Sequence, residues 1–329
     1  MGRTGRILFI TIRRKIKLIS IGLPVIKTIF FEQALKSILG QTYKDFEIIV
    51  VNNNSPEDVE SILSNYNDER IRYYKNSSTL PIIENWNKVL SYAQGEYFIL
   101  FSDDDIAKPA FLEELFNLSQ RYPAVNIFHT RVRIIDENNS TKYLAPSCPE
   151  FETDADFIWH RIKNYRFQYA PDFMVKTEAL RSIGGFIDFP NAWGSDDATW
   201  FKIANNGGIA ASPKILINWR ESNINLSSQG NVEEKLFAVE KHFEWLKNFV
   251  KKDLNLNEDD LEIKNEIDKN IGFRYGVQQG YAIWLGISKN AAGIIDAIVI
   301  WLKFRKRFSL GIISLGWALG LLVRGMKRK

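Results

Sequence analysis

The sequence has few of the side chains that form disulfides or hold structural zinc. It contains one cysteine, Cys148, in 329 residues. No disulfide can form within the chain, which fits a reducing compartment. It has three histidines, and no cysteine and histidine stand at the spacing of a zinc site, so we expect no structural zinc. Apolar residues make up 45% of the chain, enough for a large buried core.

A glycine-rich loop is missing where several nucleotide-binding folds have one. The apolar run at residues 18–23 predicts a first buried strand, and Pro24, Val25, Ile26 and Lys27 follow it without a glycine. The absence of G-x-G-x-x-G excludes a dinucleotide-dependent oxidoreductase. The absence of a basic, glycine-rich first loop disfavours a nucleotidyltransferase, which is kept as an alternative.

Acidic residues are absent from both ends of the chain. Residues 1–17 carry six Lys or Arg and residues 303–329 carry eight, so the ends hold +14 and the remainder −10. A nucleic-acid-binding protein more often has a basic stripe across a folded face, so we expect no nucleic-acid partner. Two basic ends on an acidic body predict attachment to an anionic membrane surface. The apolar run 7–12 is shorter than a signal-peptide core, and we expect no signal peptide.

The C-terminal apolar run is shorter than a membrane-spanning helix requires. Residues 308–323 carry no charge, but these sixteen residues fall short of the about 20 that cross a bilayer. Basic clusters flank the run on both sides, which favours a peripheral or shallowly inserted helix, with residues 294–302 as the first arm of a hairpin. A spanning helix and a helix pair packed on the main domain stay open as alternatives.

The first half of the chain alternates apolar runs with helical patterns. Further strands are predicted at 46–51, 70–74 and 96–101, and helices at 29–40, 57–66 and 82–93. The pattern predicts an α/β fold with a mostly parallel sheet, in which ligands bind at the carboxyl ends of the strands. We predict a basic extension at 1–17, an α/β domain at 18–225, a helical extension at 226–290 and an apolar, basic helical tail at 291–329.

Two groups of acidic residues carry the candidate chemistry. Asp103, Asp104 and Asp105 directly follow the strand at 96–101, and carboxylates there suit Mg²⁺ or Mn²⁺ bound with a diphosphate; a solvated loop is the alternative. Asp196 and Asp197 follow the turn at Gly194 and precede a helical stretch. They are either helix-capping groups or a general base beside aromatic residues.

Several of these segments together resemble glycosyltransferase family 2. They are the runs at 20–25, 41–51 and 87–105, the Gly184-Gly185-Phe186 turn, and the pair Asp196 and Asp197. The resemblance covers about residues 18–220. It implies a GT-A fold, a nucleotide-diphosphate-sugar donor, a divalent metal and inversion at the anomeric carbon.

The resemblance also implies roles for individual residues. Donor-binding positions are Pro24, Val25, Asn53, Asn87 and Asp103. The metal would be held by Asp104, with Asp105 beside it, and Asp197 would be the base, with Asp196 as the next candidate. The family often has Asp-Asp where this chain has Asn52-Asn53, so the expectation of a UDP-sugar is weakened. Ser102 replaces a frequent first acid of the metal motif, and three acids remain after it.

The resemblance and the tail together imply a cellular role. We expect transfer of a sugar to a glycan or lipid-linked glycan, in bacterial surface polysaccharide or lipopolysaccharide synthesis at the cytoplasmic face of the inner membrane. The non-enzyme alternative is a membrane-associated scaffold that keeps the GT-A fold without catalysis.

Overall fold

A computed structural model describes residues 18–205, 207–222, 230–254, 260–288 and 293–326. The predicted basic extension at 1–17 lies outside these residues. The predicted domain boundaries at 225/226 and 290/291 lie outside them as well.

The first half of the chain alternates strands and helices as its apolar runs predict. The elements are β1 (Ile19–Val25), α1 (Phe31–Leu39), β2 (Phe46–Asn52), α2 (Val59–Leu63), β3 (Ile71–Lys75), α3 (Ile82–Ser91) and β4 (Tyr97–Leu100). β1 lies between β2 and β4, β3 lies on the far side of β2, and all three pairings are parallel. Every residue of β2 is buried, because helices cover both faces of the sheet.

The second half extends this sheet with mixed directions. Its elements are β5 (Ile106–Ala107), α4 (Phe111–Arg121), β6 (Ile127–Ile135), β7 (Thr141–Leu144), β8 (Phe151–Glu152), α5 (Asp154–Ile162), β9 (Phe173–Lys176), α6 (Thr177–Ser182), α7 (Ser195–Ala204) and β10 (Ile209–Arg220). The order is β3-β2-β1-β4-β9-β6-β10-β5, with β7 on β6 and β8 on β10. β9 runs antiparallel to β4 and β6, whereas β10 is parallel to β6. Parallel pairing therefore dominates in the first half.

Four helices follow the sheet domain. They are α8 (Val232–Lys252), α9 (Asp260–Ser288), α10 (Ile294–Phe304) and α11 (Ile312–Met326). α8 begins with a capping box in which the Asn231 side chain accepts from the Glu234 N–H at 2.9 Å. α10 and α11 form the predicted hairpin. Among the described residues, no helix combines the length and apolarity needed to cross a bilayer.

The hydrophobic core lies on both faces of the sheet. On β2, Ile48 and Val50 point to the side covered by α1 and α4. Ile49 and Val51 point to the side covered by α3, α5 and α7, and the same cluster continues into α8 to α11. Burial of one large apolar side chain contributes about 1.5–3 kcal/mol, so this shared core holds the helical extension firmly on the sheet domain.

Candidate active site

A cleft of about 680 Å³ opens at the carboxyl ends of β1, β2 and β4. Its volume is in the range of sites that bind small organic ligands. The sheet edge contributes Pro24, Val25, Lys27, Asn53, Asp103 and Asp104. The opposite wall contributes Tyr169, Trp193, Asp196, Asp197, His242, Gln278 and Tyr281. Loops that follow three strands therefore face residues from α7, α8 and α9.

Asp103 ties two strand-end loops together. Its Oδ2 accepts from the backbone N–H of Ile26 at 3.1 Å and of Lys27 at 3.3 Å, so the loop after β4 holds the loop after β1. Burial raises the pKa of Asp103, although these two N–H groups oppose the shift. The carboxylate is thus fixed at the floor of the cleft.

Asp104 and Asp105 point in different directions although they are adjacent. Asp104 lines the cleft, and burial together with the charge of Asp103 raises its pKa to about 7. Asp105 is fully buried, and its Oδ1 accepts from the backbone N–H of Arg220 at 2.7 Å. The predicted metal ligand Asp105 therefore anchors the end of β10 and does not line the cleft.

The carboxylates of Asp103 and Asp104 suit a hard divalent cation. Burial and mutual repulsion raise the pKa of Asp104, so a cation beside the pair would favour its ionised form. Oxygen donors are the ligands that Mg²⁺ and Mn²⁺ prefer, and such ions need only one or two protein carboxylates when phosphates complete the coordination. The donor set fits the predicted metal.

The two asparagines predicted to bind the donor have structural partners. The Asn53 Oδ1 accepts from the Leu80 N–H at 2.9 Å, and its Nδ2 donates to the Leu80 carbonyl at 3.0 Å. Asn53 lines the cleft beside Pro24 and Val25, but its amide is occupied with the loop that carries Leu80. Asn87 is not among the cleft residues; its Oδ1 accepts from the Phe186 N–H at 2.8 Å. Asn87 thus holds the turn at Gly184 and Gly185.

The two acids at the start of α7 both line the cleft in different environments. One guanidinium nitrogen of Arg161 donates to both oxygens of Asp197, at 2.7 and 2.6 Å. Burial and the charge of Asp197 raise the pKa of Asp196 to about 7, while Arg161 opposes this. The N-cap residue of α7 is Gly194, so neither acid occupies that position. A carboxyl that titrates near neutral pH beside a paired carboxylate suits proton transfer.

His242 was missed by the sequence analysis. It lies on α8, and a Cβ placed on Gly194 would stand 2.4 Å from its Nδ1. Gly194 also has a φ of +72°, so glycine is required there for two reasons. Burial lowers the pKa of His242 to about 4, so the imidazole is neutral. Within the described chain its Nε2 has no hydrogen-bond partner. A neutral, buried imidazole therefore lines the cleft near Asp197.

The aromatic residues around α7 divide between cleft and core. Trp193 lines the cleft, whereas Trp200 is buried and stacks on Phe173 with ring centroids 5.1 Å apart. Tyr169 and Trp219, which also line the cleft, stack at 3.9 Å. The described residues thus offer flat aromatic surface in the cleft from Trp193 and from the Tyr169–Trp219 stack.

A separate group of potential metal ligands lies outside the cleft lining. Ligand atoms of His129, Cys148 and Glu152 all lie within 4.8 Å of one another. Cys148 Sγ is 3.7 Å from His129 Nε2. Glu152 already accepts from Arg166 at 2.8 Å and pairs with His160. Because β6 and the loop before β8 bring these residues together, their sequence spacing did not predict the group.

Sequence comparisons match the chain to one family and to several proteins. Residues 30–184 match the profile of glycosyl transferase family 2. An uncharacterized glycosyltransferase of Methanocaldococcus jannaschii is 30% identical over 203 residues, which cover 59% of this chain and 67% of that protein. The next two relatives are covered over 65% and 64% of their length. A GalNAc(5)-diNAcBac-PP-undecaprenol beta-1,3-glucosyltransferase of Campylobacter jejuni is 38% identical over 82 residues, 24% of this chain and 26% of that protein.

Solved structures share the fold at low sequence identity. TarS of S. aureus, residues 1–349 in complex with UDP-GlcNAc, has a TM-score of 0.62 and 14% identity, with 95% of this chain and 92% of that chain covered. The mannosyltransferase PcManGT of Pyrobaculum calidifontis, in complex with GDP-Man and Mn²⁺, has a TM-score of 0.57 and 16% identity, with 92% and 83% covered. These likenesses confirm the predicted GT-A architecture.

Proposed function

The chain belongs to glycosyltransferase family 2, and from that premise we propose that it transfers a sugar, with inversion, from a nucleotide-diphosphate sugar to a glycan or lipid-linked glycan. One observation carries the proposal: two carboxylate pairs line the same cleft. Asp103 and Asp104 stand at the strand ends, and Asp196 and Asp197 stand at the start of α7. We call these two regions of the cleft the donor side and the acceptor side.

The donor side would hold the nucleotide and its diphosphate. Pro24 and Val25 supply apolar surface for the nucleoside, and Lys27 lies in the same loop, where its charge favours phosphate. A bound Mg²⁺ or Mn²⁺ would neutralise charge that develops on the departing diphosphate. Asp103 and Asp104 would hold it. The two solved neighbours are complexes with UDP-GlcNAc and GDP-Man, which makes uridine and guanosine the first nucleosides to test.

The acceptor side would activate the attacking hydroxyl. Asp197 takes the hydroxyl proton while the acceptor oxygen forms a bond to the anomeric carbon and the bond to the diphosphate oxygen breaks with its electron pair. Because base and leaving group lie on opposite faces of the sugar in this one displacement, the anomeric configuration inverts. Arg161 orients Asp197 through a single nitrogen, so each carboxylate oxygen keeps a lone pair for the acceptor.

The acceptor class rests on two observations. The matched Campylobacter jejuni relative is named for an undecaprenol-linked substrate, and the C-terminal tail is apolar and basic. We therefore propose a lipid-linked glycan in bacterial surface polysaccharide or lipopolysaccharide synthesis. The protein would work peripherally at the cytoplasmic face of the inner membrane.

Release of nucleoside diphosphate from a panel of nucleotide sugars tests the proposal. We expect one donor to be hydrolysed slowly without acceptor, only with Mn²⁺ or Mg²⁺, and the rate to rise with a glycan acceptor. The Asp197→Asn variant should lose acceptor-stimulated release. No metal-dependent release from any donor would contradict the proposal and support the scaffold alternative. Release of pyrophosphate from nucleoside triphosphates would instead support a nucleotidyltransferase.

A further inference from the structure

The α10–α11 hairpin has one side packed against the protein. Ala297, Trp301 and Phe304 of α10 are buried, and the Trp301 Nε1 donates to the Ser314 Oγ at 3.0 Å. α11 packs closely on α9, where a Cβ added to Gly280 would stand 2.5 Å from the Ser314 carbonyl oxygen. The two helices are therefore held in place through their inner sides.

The outer side of the hairpin exposes large apolar side chains. On α10, Ile295 is 76% and Leu302 58% exposed, with Val299 between them, and this i, i+4, i+7 spacing places all three on one stripe. On α11, Ile312 is 76% exposed, and Ile313, Trp317 and Val323 are 37–40% exposed; Ile313 and Trp317 also pack beside glycines of α9. We call these seven residues of α10 and α11 the apolar face. Large apolar side chains exposed together on one helical hairpin mark interaction sites on soluble domains.

The charges of the hairpin are almost all positive. Lys303, Arg305, Lys306 and Arg307 stand where α10 meets α11, and residues 297–326 contain no acid. Arg307 pairs with Glu233 of α8, which leaves the other three to act outward. Asp296 is used locally, because its Oδ2 accepts from the Gly293 N–H at 2.7 Å. The Lys303 ammonium lies 5.0 Å from the Phe304 ring centroid, and the Arg305 guanidinium 4.9 Å from that of Trp301. These contacts hold the two cations over buried rings, at the edge of the exposed apolar face. Basic residues at the edge of an apolar face match the headgroup and acyl layers of an anionic bilayer.

We propose that the apolar face docks on an anionic lipid surface and lies in its plane. Lipid can reach only one side of α10 and α11, because the other side is packed on the protein. Apolar residues would enter the acyl boundary, while the basic residues between the helices would bind lipid phosphates.

Docking would also define how the acceptor reaches the cleft. α9 contributes Gln278 and Tyr281 to the cleft wall and contacts α11 through Gly276 and Gly280. One helix therefore connects the acceptor side to the docked hairpin. This geometry favours an acceptor whose lipid is embedded in the membrane and whose glycan lies at the bilayer surface. The inference about the acceptor rests on the proposed function.

Vesicle flotation of the full chain tests the docking. Phosphatidylcholine vesicles with and without phosphatidylglycerol are the probe, and we expect binding mainly with the anionic lipid. Leu302→Glu should lower the partition coefficient about 10- to 100-fold, because burial of one leucine is lost. Leu261→Glu is the matched control: Leu261 is 51% exposed on α9, and its variant should bind like the wild type.

A second pair of variants tests the charge. Lys303→Gln with Lys306→Gln should weaken binding to anionic vesicles by roughly 25-fold at low salt, whereas Lys251→Gln with Lys252→Gln at the end of α8 should leave it unchanged. Thermal midpoints of all variants show whether each folds.

Three outcomes would overturn the docking. They are failure of the wild type to bind anionic vesicles, equal binding by Leu302→Glu and the wild type, and a dimer without vesicle binding that Leu302→Glu dissociates. A nucleotide-dependent rise in thermal midpoint is measured in parallel. If nucleotide raises the midpoint but the protein does not bind vesicles, the docking is overturned and the proposed function stands. If the protein binds vesicles but no nucleotide raises the midpoint, the docking stands and the proposed function is overturned.

Discussion

The donor side of the cleft is built from residues at strand ends, whereas the acceptor side is built from residues on helices that are far apart in the sequence. Pro24, Asn53 and Asp103 each stand within a few residues of a strand end, and parallel pairing brings the three loops together. On the acceptor side, Asp197 of α7 meets Arg161 of α5, and His242 of α8 packs on the same turn. A site at strand ends follows from local pattern, whereas a site between helices depends on how the helices pack.

The largest expected effect is on the acceptor side. Asp197→Asn keeps the shape of the side chain and removes the base, so kcat should fall about 10²–10⁴-fold while nucleotide binding stays unchanged. Asp188→Asn, at an exposed position in the preceding loop, is the control. Steady-state measurements of kcat for both variants and the wild type check this prediction. A kcat within a few-fold of wild type for Asp197→Asn would move the base to Asp196.

The next effect separates two adjacent acids on the donor side. Asp104→Asn should weaken Mn²⁺-dependent nucleotide binding by about 10- to 100-fold or more, since a direct ligand matters at least as much as its supporting residues. Asp105→Asn should lower the thermal midpoint and keep the metal dependence, because Asp105 anchors Arg220 inside the protein. Calorimetric titration of both variants checks this. If Asp105→Asn loses the metal dependence as fully as Asp104→Asn does, Asp105 is a metal ligand after all.

A smaller effect is expected at His242. His242→Phe keeps a ring of similar shape and removes the unpartnered nitrogen, so the acceptor KM should rise about 2- to 10-fold, the range of one neutral hydrogen bond. The donor KM should not change. If the donor KM rises as well, His242 acts on the whole cleft through its packing against Gly194.

The smallest effect is a change in the pH profile. Burial and the charge of Asp197 raise the pKa of Asp196 to about 7. As the pH drops through about 7, Asp196 takes up a proton and loses the negative charge that helps the neighbouring carboxylate draw the acceptor proton, so kcat/KM should fall. Asp196→Asn removes this titrating group, and the limb of the profile near pH 7 should disappear. A limb that remains in the variant would show that another group controls it.

The sequence predicted the elements that local pattern determines. The apolar run that becomes β2, followed by the polar Asn52 and Asn53, predicted both a strand and its position at the ligand edge. The predicted helix pair of the tail appears as α10 and α11. The predicted fold and family are confirmed, and the site roles stay predictions.

The sequence could not predict side-chain direction or distant packing. Asp104 and Asp105 are neighbours, yet the turn after β4 sends one into the cleft and the other into the core. Asn87 was expected at the donor, but its hydrogen bonds hold the backbone at Phe186. His242 reaches the cleft because α8 shares a core with the sheet domain, and no motif near it signals that contact.

Thermal stability with nucleotides tests the central claim most directly. The protein is melted with UDP, GDP or dTDP, each with and without Mn²⁺, and a ligand that binds the folded state raises the midpoint by mass action. We predict a rise with one nucleotide that requires Mn²⁺ and disappears in Asp104→Asn. No rise with any nucleotide at millimolar concentration would contradict a nucleotide-sugar site in this cleft.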